Sequence, residues 1–91
     1  MTWETDLQAV WEQHHELDPR EFIEQVIAVI NQPGIPQALR EYEVARGHEG
    51  INRPDFAVDG YQRALDEGLD PDVAKQASAG LLRCQTILGR G

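Results

Sequence analysis

The sequence predicts an all-α fold of about five helices arranged in antiparallel helical hairpins. Apolar residues recur at three- and four-residue spacing along most of the 91 residues, which is the period of an amphipathic helix. Proline and glycine separate these segments. No segment of useful length alternates between apolar and polar residues, as a half-buried strand would. A chain of this length has room for one modest core, so we expect a single helical-repeat domain over residues 1–91.

The N-terminal hairpin is predicted over residues 1–32, and its first helix from about Thr2 to Leu17. One face of this helix is apolar and the opposite face is polar, as in a helix that packs on a core. The apolar stripe consists of Trp3, Leu7, Val10, His14 and Leu17.

A strong start is predicted for the second helix. Asp18 can cap the helix, Pro19 fits its first turn, and Glu21 stands three residues after the cap. The helix should continue to about Asn31. Its apolar residues spread too widely for one stripe, so we expect neighbours on two sides. They are Phe22, Ile23, Val26, Ile27, Val29 and Ile30.

The second hairpin is predicted over residues 36–69. The segment 32–36 contains Pro33, Gly34 and Pro36, which disfavour helix there. The third helix therefore begins near Pro36 and ends near Ile51. The fourth begins at Arg53-Pro54, and Gly68 occupies the place of a left-handed C-terminal cap.

A single terminal helix is predicted over residues 70–90. Asp70-Pro71-Asp72 repeats the combination of cap and proline, and the helix should run to Leu88 before Gly89. Its apolar stripe is Val73, Ala77, Leu81, Cys84 and Leu88.

Two helix-length segments joined by a short link occupy residues 38–69. Small residues beside a tyrosine would let these two antiparallel helices approach closely. The residues that carry this pattern are Ala45, Ala57, Tyr61, Ala64 and Leu65. Together with Ile51-Asn52-Arg53 and Gly68-Leu69, they resemble a tetratricopeptide repeat, in particular that of small bacterial proteins with degenerate repeats. The resemblance implies a right-handed α-solenoid fragment.

A second copy of the repeat is predicted by sliding the chain along itself. Residues 51–53 match residues 88–90 at an offset of 37, slightly more than the roughly 34 residues of the family. In this register Arg46 aligns with Arg83. The second copy then lacks its partner helix, so the last helix either caps the array or belongs to a longer chain.

Composition narrows the range of functions. A net charge of −8 with scattered basic residues disfavours binding to nucleic acid. No apolar run approaches the roughly 20 residues that span a bilayer, so we expect no membrane insertion. The first residues lack the basic and apolar regions of a secretion signal, and the only cysteine, Cys84, cannot form an internal disulfide. These features predict a cytoplasmic protein.

The sequence contains no nucleophile elbow, glycine-rich phosphate loop or paired-cysteine motif. We therefore expect no enzymatic activity, no catalytic residue, no cofactor and no metal. The alternative is a small helical metal-binding or catalytic bundle that uses His14, His15 or His48 with nearby carboxylates. Glu12-x-x-His15 matches half of a carboxylate-bridged dimetal motif, but the second half is missing.

A protein–protein interaction module is the leading prediction. In tetratricopeptide arrays the first helix of each hairpin lines a concave groove that binds a peptide or protein, and the resemblance implies the same here. The implied partner-binding residues are Leu39, Tyr42, Arg46, Glu49 and Gly50 in the third helix, and Gln76, Ala79, Arg83 and Thr86 in the fifth. Arg46 and Arg83 would hold a carboxylate or an acidic peptide. The alternative is that both arginines are solvated or pair with Glu43, Glu49 or Asp55.

A homodimer through the C-terminal helix is a further prediction. If no helix follows, the terminal helix would expose apolar side chains that favour a partner. The predicted self-association residues are Leu81, Leu82 and Ile87.

Overall fold

A computed structural model describes residues 2–89 and contains five α-helices and no strand in that range. The all-α class and the number of helices are thus confirmed. The first and last residues of the predicted domain, residue 1 and residues 90–91, lie outside the described range, as does the match between Arg53 and Arg90. Within it, no helix has the length and apolar character needed to cross a membrane. The helices are α1 (Trp3–Glu12), α2 (Pro19–Ile30), α3 (Gln37–Gly50), α4 (Pro54–Glu67) and α5 (Pro71–Leu88).

The helix starts agree with the predicted positions, and of the two predicted aspartate caps the side chain of Asp18 caps its helix whereas that of Asp70 does not. Asp18 accepts a hydrogen bond from the backbone N–H of Arg20 at 3.3 Å, and prolines occupy the first turn of α2, α4 and α5. The predicted end of α1 at Leu17 is wrong, because the helix ends at Glu12. Residues 13–16 form a turn that reverses the chain into α2, and within it the N–H of Glu16 donates to the carbonyl of Gln13.

The core consists of two clusters that meet at α3. The N-terminal cluster contains Leu7, Val10, Phe22, Val26 and Ile30. The C-terminal cluster contains Tyr42, Ala45, Ala57, Val58, Tyr61, Ala64, Ala77 and Cys84. The predicted cover of α2 on two sides is confirmed by its packing on α1 and α3, although Ile27 remains 43% exposed.

Small residues bring α3 and α4 together as predicted. Ala45, Ala57 and Ala64 are buried, and a Cβ added to Gly60 would lie 3.0 Å from the Cβ of Ala45. Tyr61 is also buried and fills the space beside them. Its ring faces α5 at Gly80, where an added Cβ would lie 2.6 Å from Cζ of the tyrosine.

Alternate helices start at a constant interval. α1, α3 and α5 begin at residues 3, 37 and 71, so each start follows the previous one by 34 residues. The predicted 37-residue register does not describe these starts. That register aligns Ile51, the residue after α3, with Leu88, the last residue of α5, and α5 has 18 residues whereas α3 has 14. The extra turn of α5 accounts for the longer offset.

Candidate functional site

A depression with a volume of about 400 Å³ lies between α3 and α5, with α4 behind it. We call it the α3–α5 groove. Its lining residues are Trp11, Tyr42, Arg46, Glu49, Gly50, Tyr61, Gln76, Ala79 and Arg83. The structure therefore brings together most of the residues that the sequence assigned to a concave surface.

Two of the predicted groove residues lie elsewhere. Leu39 packs against the C-terminal core and lines a separate depression with Leu69 and Val73. Thr86 donates from its hydroxyl to the carbonyl of Leu82 within α5. The predicted partner-binding surface is thus shorter at both ends than the sequence indicated.

Glu49 connects three helices at the floor of the groove. Its carboxylate accepts a hydrogen bond from the Tyr61 hydroxyl at 2.7 Å, and from Nε and Nη2 of Arg83 at 2.8 and 3.0 Å. The guanidinium of Arg83 holds the pKa of Glu49 below its usual range. Burial, reinforced by Glu49, raises the pKa of Tyr61 well above its usual range. All three side chains are therefore fixed in position.

Tyr42 and Gln76 form a second link across the groove. The Tyr42 hydroxyl donates to Oε1 of Gln76 at 2.9 Å, and burial raises the pKa of this tyrosine. Residues 42 and 76 are separated by the same 34 positions as residues 49 and 83. α3 and α5 consequently run parallel, with equivalent turns level across the groove.

Arg46 forms the wall of the groove on the α1 side. Its Nη1 donates to Oε1 of Glu43 at 2.7 Å, and its Cζ lies 5.0 Å from the ring centre of Trp11 and 5.8 Å from that of Tyr42. Arg46 pairs with Glu43 and Arg83 with Glu49, so the ion pairs with acids that the sequence analysis gave as the alternative are present. Asp55 pairs instead with Arg53.

Tyr61, which was predicted as a packing residue and not as a groove residue, also lines the groove, whereas the lining residue that sequence reasoning missed altogether is Trp11. Its ring packs edge-on against Phe22, and a Cβ added to Gly50 would lie 2.8 Å from Cη2 of the tryptophan. Within residues 2–89 its buried indole N–H has no hydrogen-bond acceptor. The one available signal was Gly50 itself, since a glycine inside a helix often marks close approach of another group. The identity of that group depends on tertiary packing.

A second depression of about 240 Å³ adjoins the groove along α1, and we call it the α1 depression. It is lined by Trp3, Glu4, Leu7, Gln8, Trp11, Glu43 and Arg46. Trp11 and Arg46 belong to both depressions, so the two are separated only by that stacked pair. Burial raises the pKa of Glu43, and the neighbouring Glu4 adds to the effect.

His14, His48 and Cys84 take part in packing, whereas His15 is exposed. His14 lies in the turn after α1, and its Nε2 is 2.7 Å from the carbonyl oxygen of Gly50. The ring of His48 lies 5.3 Å from that of Phe56, and burial lowers the pKa of this histidine. Cys84 is buried, which raises the pKa of its thiol. Across residues 2–89 no group of three or more His, Cys, Asp or Glu side chains could hold a metal ion.

The predicted self-association residues of α5 occupy different environments. Leu82 and Ile87 are 61% and 64% exposed. Leu81 instead packs, partly buried, against the C-terminal core. The exposed apolar surface of α5 therefore consists of Leu82 and Ile87.

No family model, curated protein or solved structure matches this chain. Function is accordingly inferred from the groove and its side chains, because function depends on a site rather than on a scaffold.

Proposed function

We propose that this protein is a non-enzymatic protein–protein interaction module whose α3–α5 groove binds a peptide segment of a partner protein. The observation that carries the proposal is the concave, polar and aromatic surface built from two parallel helices. Its side chains are held by the Glu49 and Tyr42 hydrogen bonds. Pre-ordered side chains reduce the entropy lost on binding, which favours recognition of a flexible segment.

A tetratricopeptide-like solenoid is the architecture that we propose. The interval of 34 residues between the starts of α1, α3 and α5 equals the usual length of that repeat. All three helices contribute side chains to the two adjoining depressions. This arrangement is the one expected when the first helix of each successive hairpin lines one concave face.

A carboxylate of the partner is the group that best fits the α3–α5 groove. Arg46 and Arg83 line it against one acid, Glu49, and both side chains remain partly exposed, at 39% and 58%. A guanidinium has five N–H donors, so each arginine retains donors beyond its internal ion pair. The partner's acidic side chain would share these arginines with Glu43 and Glu49. Modest affinity is expected, because the cations are already partly neutralised.

The proposal can be tested by blocking the groove. Ala79 is an exposed residue of the lining, and Ala79→Trp should fill the space between α3 and α5. Ser78→Trp is the matched control, because residue 78 is also exposed but points about 100° away around the same helix. A random peptide library displayed on phage is selected on the parent protein. The selected peptides are then titrated against all three proteins.

We expect enriched peptides to bind the parent and the Ser78→Trp variant, and to bind Ala79→Trp at least tenfold more weakly. The melting temperatures of the three proteins should be similar, because both substitutions are on the surface. Equal binding to both tryptophan variants would refute the groove as the binding site, and so would a library that yields no enrichment.

A further inference from the structure

The α1 depression combines aromatic and acidic side chains. Trp3 and Trp11 contribute indole rings to its lining, and Glu4 and Glu43 contribute carboxylates. The side chain of Glu43 is only 10% exposed. Indole faces and carboxylates are both groups that attract cations, and they do so most strongly where water is partly excluded.

The charges in this depression are not balanced. Arg46 is the single cation of the lining, and it is paired with Glu43. The ion pairs found within residues 2–89 do not include Glu4. The negative charge of Glu4 is therefore in excess in this depression.

One cation of the protein itself already lies between an indole face and a carboxylate. The guanidinium of Arg46 stacks on Trp11 while its Nη1 donates to Glu43. Trp3 and Glu4, from successive positions of α1, add a second indole ring and a second carboxylate to the lining.

From these observations we infer that the α1 depression binds a cationic side chain, Lys or Arg, of the same partner polypeptide. The inference rests on the proposed function, of which it specifies the partner chemistry. A partner would then place an acidic group between α3 and α5 and a basic group against α1, with the Trp11–Arg46 stack between the two.

Nuclear magnetic resonance can test this inference without knowledge of the natural partner. The chain has two tryptophans, so its indole N–H groups give two signals. The parent protein is titrated with Nα-acetyl-lysine methylamide. The same compound acetylated at Nε is the neutral control. We expect the charged probe to shift the indole signals of Trp3 and Trp11 in a saturable way, and the neutral probe to leave them nearly unchanged.

Two variants, each with one glutamate replaced by neutral glutamine, show which acid binds the lysine probe. Glu4→Gln should weaken binding of the lysine probe about twofold to fivefold, the range expected for a partly exposed ion pair. Glu12→Gln is the matched control, since Glu12 is an exposed acid of the same helix outside the lining. The Glu12→Gln variant should bind the lysine probe with the same affinity as the parent. Melting temperatures of both variants are measured alongside.

Equal shifts with the charged and neutral probes would overturn the inference, as would equal effects of Glu4→Gln and Glu12→Gln. Neither result would affect the peptide selection on the α3–α5 groove, which is a separate measurement. Failure of the cation site is therefore distinguishable from failure of the groove.

Discussion

At the scale of single residues, Gly80 allows α4 to pack closely against α5, because it has no side chain. Tyr61 is fully buried and lies against this glycine, with two ring carbons and the hydroxyl oxygen less than 3 Å from the position of an added Cβ. The same tyrosine donates to Glu49 in the groove. Any displacement of its ring would therefore disturb both the core and the groove floor.

Gly80→Ala should lower the free energy of unfolding by about 1–2 kcal/mol. Overpacking of a core costs about 1–3 kcal/mol, and the better helix propensity of alanine offsets up to about 1 kcal/mol. Urea denaturation measures the change. Gly47→Ala is the comparison, because its added Cβ would meet the flexible end of Ile23 at 3.1 Å. A cost for Gly80→Ala no larger than for Gly47→Ala would contradict the packing described for Tyr61.

At the scale of helices, the Glu49 carboxylate connects α3 to both α4 and α5 through Tyr61 and Arg83. Its pKa is lower in the folded protein than the ordinary value of 4.5, chiefly because of Arg83. The ionised form thus stabilises the fold. This stabilisation is fully present above the unfolded pKa and is lost as the pH falls through the folded pKa.

Glu49→Gln should therefore reduce the loss of stability between pH 6 and pH 3. We expect a smaller change in urea midpoint over this range for the variant than for the parent. Arg83→Gln removes the group that lowers the pKa and should reduce the same change. A parent-like pH dependence in both variants would show that this ion pair contributes nothing to folding.

The sequence predicts helix starts better than helix ends. A start depends on local groups such as Asp18 and Pro19, which act within one turn. The end of α1 depends on where the chain must turn so that α2 can pack, and its overestimated length follows from the apolar stripe that continues to His14 and Leu17. Trp11 was missed for a related reason: its packing against Gly50 joins residues that are distant in sequence.

The groove itself was largely predictable because its positions follow from helical periodicity and from the resemblance. Its ion pairs were open to two interpretations. Arg46 has an acid three residues away in the sequence, Glu43, whereas Arg83 pairs with Glu49, which is 34 residues away and is brought close only by the fold. The constant interval between helix starts was not recognised from the sequence, because α5 is longer than α3 and the ends of these helices give a different offset.

At the scale of the whole molecule, the exposed apolar side chains of α5 are the basis of the predicted contact with another copy. Leu82 and Ile87 are more than half exposed. The net charge of −8 opposes association by mutual repulsion, so added salt should favour it. Self-association of the protein remains a prediction.

Leu82→Glu should convert a dimer of the parent protein into a monomer, since the variant places a charge on the apolar surface. Light scattering across a wide concentration range at moderate salt measures the mass. Ser78→Glu adds the same charge to another exposed position of α5 and should leave the dimer intact. A parent protein that is monomeric at every concentration would exclude this interface.

The regular interval between helix starts also has a consequence for protein engineering. Residues 37–70 run from the start of α3 to the residue before α5, and they span one full interval of 34 residues. A duplicate of this segment inserted after Asp70 would meet a preceding hairpin at its N-terminal end and the original α5 at its C-terminal end. The Tyr61–Gly80 and Glu49–Arg83 contacts would remain at the last junction. At the other junction, however, the copy would place Arg46 in the position of Gly80 against Tyr61, and Glu49 in the position of Arg83 against the first Glu49. A longer array built from this segment therefore requires redesign of those two positions.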